Sequence, residues 1–418
     1  MLIEFSVKNF RSFRDVQTFS MAARRSGRAT SSNSFDSGIS GLPRLSKSAA
    51  IYGPNAAGKT NLLKAMHFVQ QFVTSSASSP PGNQVPYTPF IFSKTTRAQP
   101  SEFVIAFIER GIRYQYGFKL NATRILEEWL FEYVTNRGRL LFERVYHAKT
   151  ERYKWTFSSF LKGQRSVWSE TTRPNALFLS NASQLNSGQL LPVFQWFQRR
   201  LVIIMPGSPL NPGLTIQLLD KPDGKEKLLP FLREADLGIA DVHMDREIVP
   251  GTGALILPGA FIEQQPNSSP SVVRITLRHQ GADDQSPLLP LSEESSGTQI
   301  LFATAGAWLN VFTNAEVLLV DEIDTSLHPL LTHFLIQKFH SDKTNPNNAQ
   351  LLFTTHNTTL LDQKLFRRDQ IWFMEKGRDG STKMFPLSDF KVRKGEALDK
   401  WYLKGRYGAL PLLDESVT

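Results

Sequence analysis

The segment Gly53-Pro-Asn-Ala-Ala-Gly58-Lys59-Thr60 has the spacing G-x-x-x-x-G-K-T, which suits the phosphates of a nucleoside triphosphate. Its glycines let backbone N–H groups wrap around phosphate oxygens, and a helix starting at the end of the loop adds a favourable dipole. Lys59 then reaches the β- and γ-phosphates, and the Thr60 hydroxyl ligates Mg²⁺. Asn55 is placed to position the γ-phosphate or the attacking water, and Ala56, Ala57 and Asn61 complete the stretch that lies against the nucleotide.

Three further stretches carry chemistry. In Val317-Leu-Leu-Val-Asp321-Glu322 four apolar residues end in two acids, the pattern of a buried strand that delivers carboxylates to its C-terminal edge. Asp321 would hold Mg²⁺, and Glu322 would act as general base toward water. Leu291-Ser-Glu-Glu-Ser-Ser296-Gly297-Thr298-Gln299 precedes a helical run, so its hydroxyls and amides form an anion site or an ordinary N-cap. Taken alone, the N-cap reading is the better one. In Leu351-Leu-Phe-Thr-Thr355-His356 a strand ends near an imidazole that could reach a γ-phosphate or orient a water.

The elements that must position these residues are legible from periodicity. Ser48–Tyr52 reads as a short buried strand before the glycine loop, and Asn61–Val73 as the helix after it. Period-two alternation over Phe103–Ile108 and Ile112–Leu120, with Glu109-Arg110-Gly111 between them, predicts a β-hairpin. Ile125–Val134, Leu140–Tyr146 and Tyr153–Phe157 read as further strands of the same antiparallel layer. Leu190–Arg200 reads as a helix and Leu201–Met205 as a strand. Strand–helix alternation returns with a helix over Gly297–Phe312, the strand Glu316–Val320, a helix after Pro329, and the strands Ala349–Thr354 and Gln370–Glu375. Ser26–Gly41 and Ser75–Pro86 read as loops. Pro206–Gln280 mixes Pro/Gly loops with a helix over Lys225–Ala235 and a strand over Ser271–His279, and no chemistry stands out in it.

Composition narrows the class. The 418 residues suffice for one large or two ordinary domains, and the absence of cysteine excludes disulfides, thiol chemistry and cysteine-ligated zinc. Neither a signal peptide nor an apolar run of the roughly 20 residues that would cross a bilayer is apparent, so a cytoplasmic protein is expected. The net charge of +10 suggests an acidic partner, a basic surface being consistent with nucleic acid, an acidic protein or simply solubility. Basic residues crowd the first fifty positions (Lys8, Arg11, Arg14, Arg24, Arg25, Arg28, Arg44, Lys47) and recur near the end (Lys391, Arg393, Lys394, Lys400, Lys404, Arg406).

Taken in order, the motifs resemble the ABC-type ATPase heads of the RecF/SMC superfamily, and most of all the RecF-like AAA ATPases of bacterial phage-defence operons, including the RloA type. The residues that carry the resemblance are Phe5-Ser-Val-Lys-Asn-Phe-Arg-Ser-Phe13, Gly53–Thr60, Ser295–Gln299, Asp321-Glu-Ile-Asp324-Thr-Ser-Leu-His-Pro329, Thr354–Asn357 and Tyr402–Pro411. The resemblance implies an α/β fold, a P-loop core with an antiparallel β layer, a helical signature lobe and a small α+β insertion. Residues 1–205 would form the N-terminal part of the head, 206–287 an insertion without an assigned role, and 288–418 the C-terminal part.

The resemblance also implies roles. Ser296 and Gly297 would contact ATP bound to a neighbouring copy, Asp324 would lie in the loop at that junction, and His356 would be the switch histidine. Arg11 and Ser12 would approach the base or phosphates. The signature departs from the transporter form in having Thr298 where transporters have a second glycine. For the glutamine loop of such ATPases the candidates are Gln84 and the segment Tyr87-Thr-Pro-Phe90. The function expected is an ATPase, requiring ATP and Mg²⁺, that dimerises around nucleotide and controls a separate effector, such as a nuclease, in anti-phage defence. The alternatives are RecF-like DNA repair and a nucleotide-gated scaffold with little turnover.

Overall fold

The computed structural model describes residues 1–24, 31–135, 137–205, 212–235, 238–248, 260–263, 271–280, 288–325, 327–393 and 395–411. Arg25, Arg28 and Lys394 of the basic groups, Ser326, part of the Ser26–Gly41 loop and much of 206–280 lie outside them. The chain forms two compact units. The first comprises residues 1–204, 314–323 and 336–418; the second comprises 205–313 and 324–335. This differs from the three-part division expected along the chain, because the helix that follows the signature clusters with the insertion and not with the acidic strand.

The first unit is mixed α/β and contains two large sheets. One is six-stranded, in the order Leu201–Ile204, Val317–Val320, Gln350–Thr354, Ser48–Tyr52, Ile371–Lys376, Thr382–Pro386. All neighbours in it run parallel except the last pair. Val317–Val320, Gln350–Thr354 and Ser48–Tyr52 are buried at every position, which is why they read as unbroken apolar runs without alternation.

The second sheet is seven-stranded and antiparallel, ordered Arg152–Phe157, Arg139–His147, Ile125–Tyr133, Ile112–Leu120, Ser101–Glu109, Leu2–Lys8, Gln17–Ser20. The hairpin turn holds Arg110 at φ +50° and Gly111 at φ +72°, the conformation in which a two-residue connection matches the twist of its strands. The helix Lys59–Ser75 lays Phe68 and Phe72 against Phe103 and Phe118 of this sheet, with ring centroids 5.1 and 5.8 Å apart. Within Ser26–Gly41, residues 31–35 are not loop. Ser31–Asn33 makes a short 3-10 turn, and Ser34–Phe35 pairs with Leu45–Ser46 because Phe35 buries its ring.

One fully buried ion pair lies in the antiparallel layer. Glu128 accepts hydrogen bonds from the Tyr116 hydroxyl (2.9 Å) and from the amides of Phe178 (2.7 Å) and Leu179 (3.0 Å). The Arg144 Nε lies 3.0 Å from Glu128 Oε2, the oxygen that also accepts from Phe178, and neither side chain touches solvent. Burial, followed by the Glu128 charge, pushes the Tyr116 phenol well above its ordinary range. Glu128→Ala leaves a buried guanidinium uncompensated, which costs about 3–5 kcal/mol. The denaturation midpoint of the variant should fall clearly, and Glu128→Gln, which keeps the shape, should fall less. A midpoint equal to the parent's would refute a structural role for the pair.

In the second unit Ser271–His279 is the centre of a small antiparallel sheet, paired with Ile239–Ile248, Ala260–Glu263 and Leu288–Pro290. The long helix Ser296–Asn314 passes close to the helix Gly213–Leu219 at Gly306. A Cβ there would come within 2.3 Å of the Thr215 backbone nitrogen. Thr215 seals the crossing: its hydroxyl donates to the Phe302 carbonyl (2.9 Å) and accepts from the Gly306 amide (2.9 Å). Part of the stretch without legible chemistry thus supports the helix that begins at Ser296.

Candidate functional site

The phosphate-type loop, the acidic pair and the histidine follow three neighbouring parallel strands. Val320 stands opposite Phe353 and Thr354 opposite Ile51, so the three strands deliver their following residues to one edge. Crevices at the carboxyl ends of such strands are where ligands bind in open α/β sheets. Here a cavity of about 660 Å³ opens, lined from the first unit alone. Its walls include Arg11, Ser12, Asn55, Ala56, Ala57, Gly58, Lys59, Thr60, Asn61, Glu322 and His356, all anticipated from the sequence.

Two glycines shape the loop. A Cβ on Gly53 would meet the Met374 carbonyl oxygen at 2.3 Å, so the loop can leave its strand only with the side chain absent. Gly58 has φ +107°, and a Cβ there would meet Thr382 Oγ1 at 2.3 Å. Gly58 is also the N-cap of the helix Lys59–Ser75 and supplies no side-chain cap. The first amides of that helix are therefore left to an anion.

Lys59 is buried and donates to the carbonyls of Gly53 (2.8 Å) and Pro54 (3.1 Å). Its ammonium also lies 2.9 Å from His356 Nε2. An ammonium cannot accept, so that ring nitrogen accepts and His356 carries its proton on Nδ1. The acidic pair hangs on Thr354. The Thr354 hydroxyl donates to Asp321 Oδ1 (2.6 Å) and accepts from the Glu322 amide (2.7 Å). Glu322 itself adopts φ +53°, a conformation uncommon for a side-chain-bearing residue and held here by that bond. Asp321 is buried and its Oδ2 has no hydrogen-bond partner among the described residues. An orphaned buried carboxylate oxygen and the Thr60 hydroxyl at the loop's helix start are both hard oxygen donors of the kind that Mg²⁺ takes.

Several contributors escaped sequence reading. Thr382 donates to the Ala57 carbonyl (2.8 Å) and its hydroxyl oxygen lies 2.8 Å from Ser12 Oγ, which accepts from Asn61 Nδ2 (2.8 Å). The loop is thereby tied to the N-terminal segment and to the edge strand. Tyr87, Thr88 and Pro89 line the cavity, together with Ile91, Phe92, Lys376 and Gly380. Of the two candidates for the glutamine loop, the segment beginning at Tyr87 reaches the cavity and Gln84 is an exposed residue outside its lining. Arg11, at φ +51°, is held by its amide on the Thr88 carbonyl (2.8 Å).

In the second unit Ser295, not Ser296, caps the long helix: its hydroxyl accepts from the Thr298 amide at 3.2 Å and lies 2.8 Å from the Thr298 hydroxyl. Thr298, where transporters carry glycine, is thus used inside the cap. Ser296 is exposed at the first helical position, and Gly297 is half-buried beside it. Asp324 Oδ1 is buried without a hydrogen-bond partner among the described residues.

A family model described as "AAA domain, putative AbiEii toxin, Type IV TA system" matches residues 48–362, well over half of the chain. No curated protein sequence matches. Among solved structures the chain is similar to an SMC head bound to the C-terminal winged-helix domain of ScpA, at 14% identity and a TM-score of 0.40, covering 92% of this chain and 97% of that one. It is also similar to the Smc head with an extended coiled coil from Pyrococcus furiosus, at 12% identity and a TM-score of 0.42, over 92% and 96% of the two chains. A third is cbiO1 of Clostridium perfringens, part of an ABC transporter complex, at 9% identity and a TM-score of 0.28, over 86% and 88%.

Proposed function

The chain belongs to this family of AAA domains of the AbiEii-toxin type, which makes it a P-loop ATPase, and from that premise we propose that it is an ATP-driven switch working as a head-to-tail pair. The observation that carries the reading is the meeting of Lys59, Glu322 and His356, from three strand ends far apart in the chain, on one cavity.

In this reading the loop amides and Lys59 hold the β- and γ-phosphates, and Asn55 flanks the γ-phosphate. Thr60 and the unpartnered Asp321 oxygen would hold Mg²⁺, which supplies positive charge against the phosphate oxygens. Glu322 takes the proton of the attacking water, and His356 reports the state of the γ-phosphate to the neighbouring copy. Ser296 and Gly297 of one copy cover the ATP held by the other, with Asp324 at the junction. The exposed Ser296, relieved of capping by Ser295, supports that assignment. Arg11 and Ser12 border the nucleotide from the N-terminal segment.

The biological setting we assign is anti-phage defence. The family's toxin–antitoxin description supports it, as does the likeness of the motifs to RecF-like ATPases of the RloA type. The switch would govern a separate effector protein.

Mixing variants tests the shared site. Lys59→Ala disables the loop of its own copy, and Ser296→Arg disables the cover it lends to the other. Each alone should release phosphate at background rate. A one-to-one mixture that exchanges subunits should recover roughly a quarter of parental activity, because half the pairs are mixed and each keeps one intact site. A mixture as inactive as its components would exclude a site shared between copies.

A further inference from the structure

In the second unit, the chain that joins the insertion sheet to the exposed Ser296 is short and held at successive points. The strand Ser271–His279 pairs with Leu288–Pro290, which passes directly into the 3-10 turn Leu291–Glu293 and then to Ser295. Leu291 buries its side chain, and the Gln299 side-chain amide donates to the carbonyls of Ser292 (3.2 Å) and Glu294 (2.8 Å). These bonds and the Ser295 cap are local to the turn and its helix. A further contact comes from the sheet: His279 Nε2 lies 2.6 Å from Glu294 Oε1, two positions before Ser296. A carboxylate accepts, so the imidazole donates from Nε2. The Glu294 side chain is only 8% exposed, which shields the bond from water. His279 is itself fixed, since it ends the central strand of the sheet and stands opposite buried Ile239. The next amide, that of Gln280, is bonded to the Gly238 carbonyl (2.8 Å).

We propose that His279 is a positioning residue for the ATP site of the neighbouring copy: by holding Glu294 it fixes the turn that presents Ser296. The inference rests on the shared-site reading and adds to it a residue of the insertion, a stretch whose sequence showed no chemistry. The physical requirement is placement. A hydroxyl that closes a site on another copy has no covalent link to the loop it must meet. Its contribution depends on how rigidly its own turn is held, because a misplacement of about 1 Å can cost a hundredfold in rate. Without the His279 bond, the Ser295 cap and the Gln299 bonds still start the helix, but the turn before it loses its tie to the sheet. The loss falls on the partner's site and not on the copy's own loop, whose cavity is lined from the first unit.

Phosphate release by mixtures of full-length variants tests the assignment. His279→Ala should slow release about tenfold or more. Mixed one-to-one with Lys59→Ala, it should recover to roughly a quarter of the parental rate, because its sound loop is then covered by the partner's sound turn. Mixed with Ser296→Arg, it should stay at or below its own low rate, because both variants damage the same cover. His279→Gln, whose side-chain amide can donate in place of Nε2, should stay within about threefold of the parent. Glu294→Ala breaks the same bond from the other side and should repeat both mixtures, and the double variant should be no worse than either single one. If His279→Ala denatures well below the parent, the Glu294→Ala mixtures decide. Parental release by Glu294→Ala and His279→Ala, or recovery with Ser296→Arg in place of Lys59→Ala, would overturn the proposal. Failure of Lys59→Ala and Ser296→Arg to complement one another would remove the shared site and this inference with it, and that control tells the two failures apart.

Discussion

Glu322→Gln retains ATP and hydrolyses it at least about a hundredfold more slowly than the parent. The substitution keeps shape and removes only the ability to take a proton. Its backbone position does not depend on the carboxylate, because the Glu322 amide is held by Thr354 and φ is already +53°. General-base assistance contributes roughly 10²–10⁴ in rate, and the loop, Lys59 and Asp321 all remain. The trapped ATP should hold the copies together, so size-exclusion chromatography with Mg²⁺ and ATP should show a dimer or larger assembly absent without nucleotide. Phosphate release within about threefold of the parent would remove Glu322 from the chemistry.

Lys59→Ala loses ATP. The ammonium is buried, aimed by the Gly53 and Pro54 carbonyls, and within reach of His356. The charge-assisted hydrogen bonds it would make to phosphate, each worth about 1.5–3 kcal/mol, disappear with it. Affinity should fall a hundredfold or more, at about 1.4 kcal/mol per tenfold. Phosphate release should fall to background. Lys59→Arg separates charge from shape: a planar guanidinium fork does not reproduce the compact point charge of the ammonium, so binding should recover little. Titration calorimetry showing parental ATP affinity in Lys59→Ala would exclude Lys59 from the phosphate site.

The fold class was legible, and the reason is visible in particular strands. Val317–Val320 and Gln350–Thr354 are short and wholly buried, apolar save for the polar ends Gln350 and Thr354, and they sit within a residue of where the apolar runs place them. The helix Lys59–Ser75 begins two residues earlier than its apolar period suggests. Lys59 and Thr60 form its first turn, and the period of a helix does not reveal polar residues at its mouth. Leu190–Arg200 reads as one helix, yet it is the α-helix Leu191–Gln195 followed by π-helical Trp196–Arg200. The buried residues Val193, Trp196 and Phe197 recur at the i, i+3, i+4 spacing of an ordinary α-helix, so hydrophobic periodicity does not reveal the π-turn.

What the residue order determined by itself was the chemistry: which side chains could hold phosphate, bind a cation or take a proton, and the strand or helix each stands on. Those properties are local, depending on residue type and on neighbours within a few positions. The tertiary structure alone decided who stands beside whom. Thr354 links Asp321 to Glu322 across adjacent strands, Thr382 braces a loop more than three hundred positions upstream, and Phe92 meets Lys376 at the cavity wall. Such pairings follow from the order of strands in a sheet, which packing of the whole unit selects and which no short window of sequence encodes.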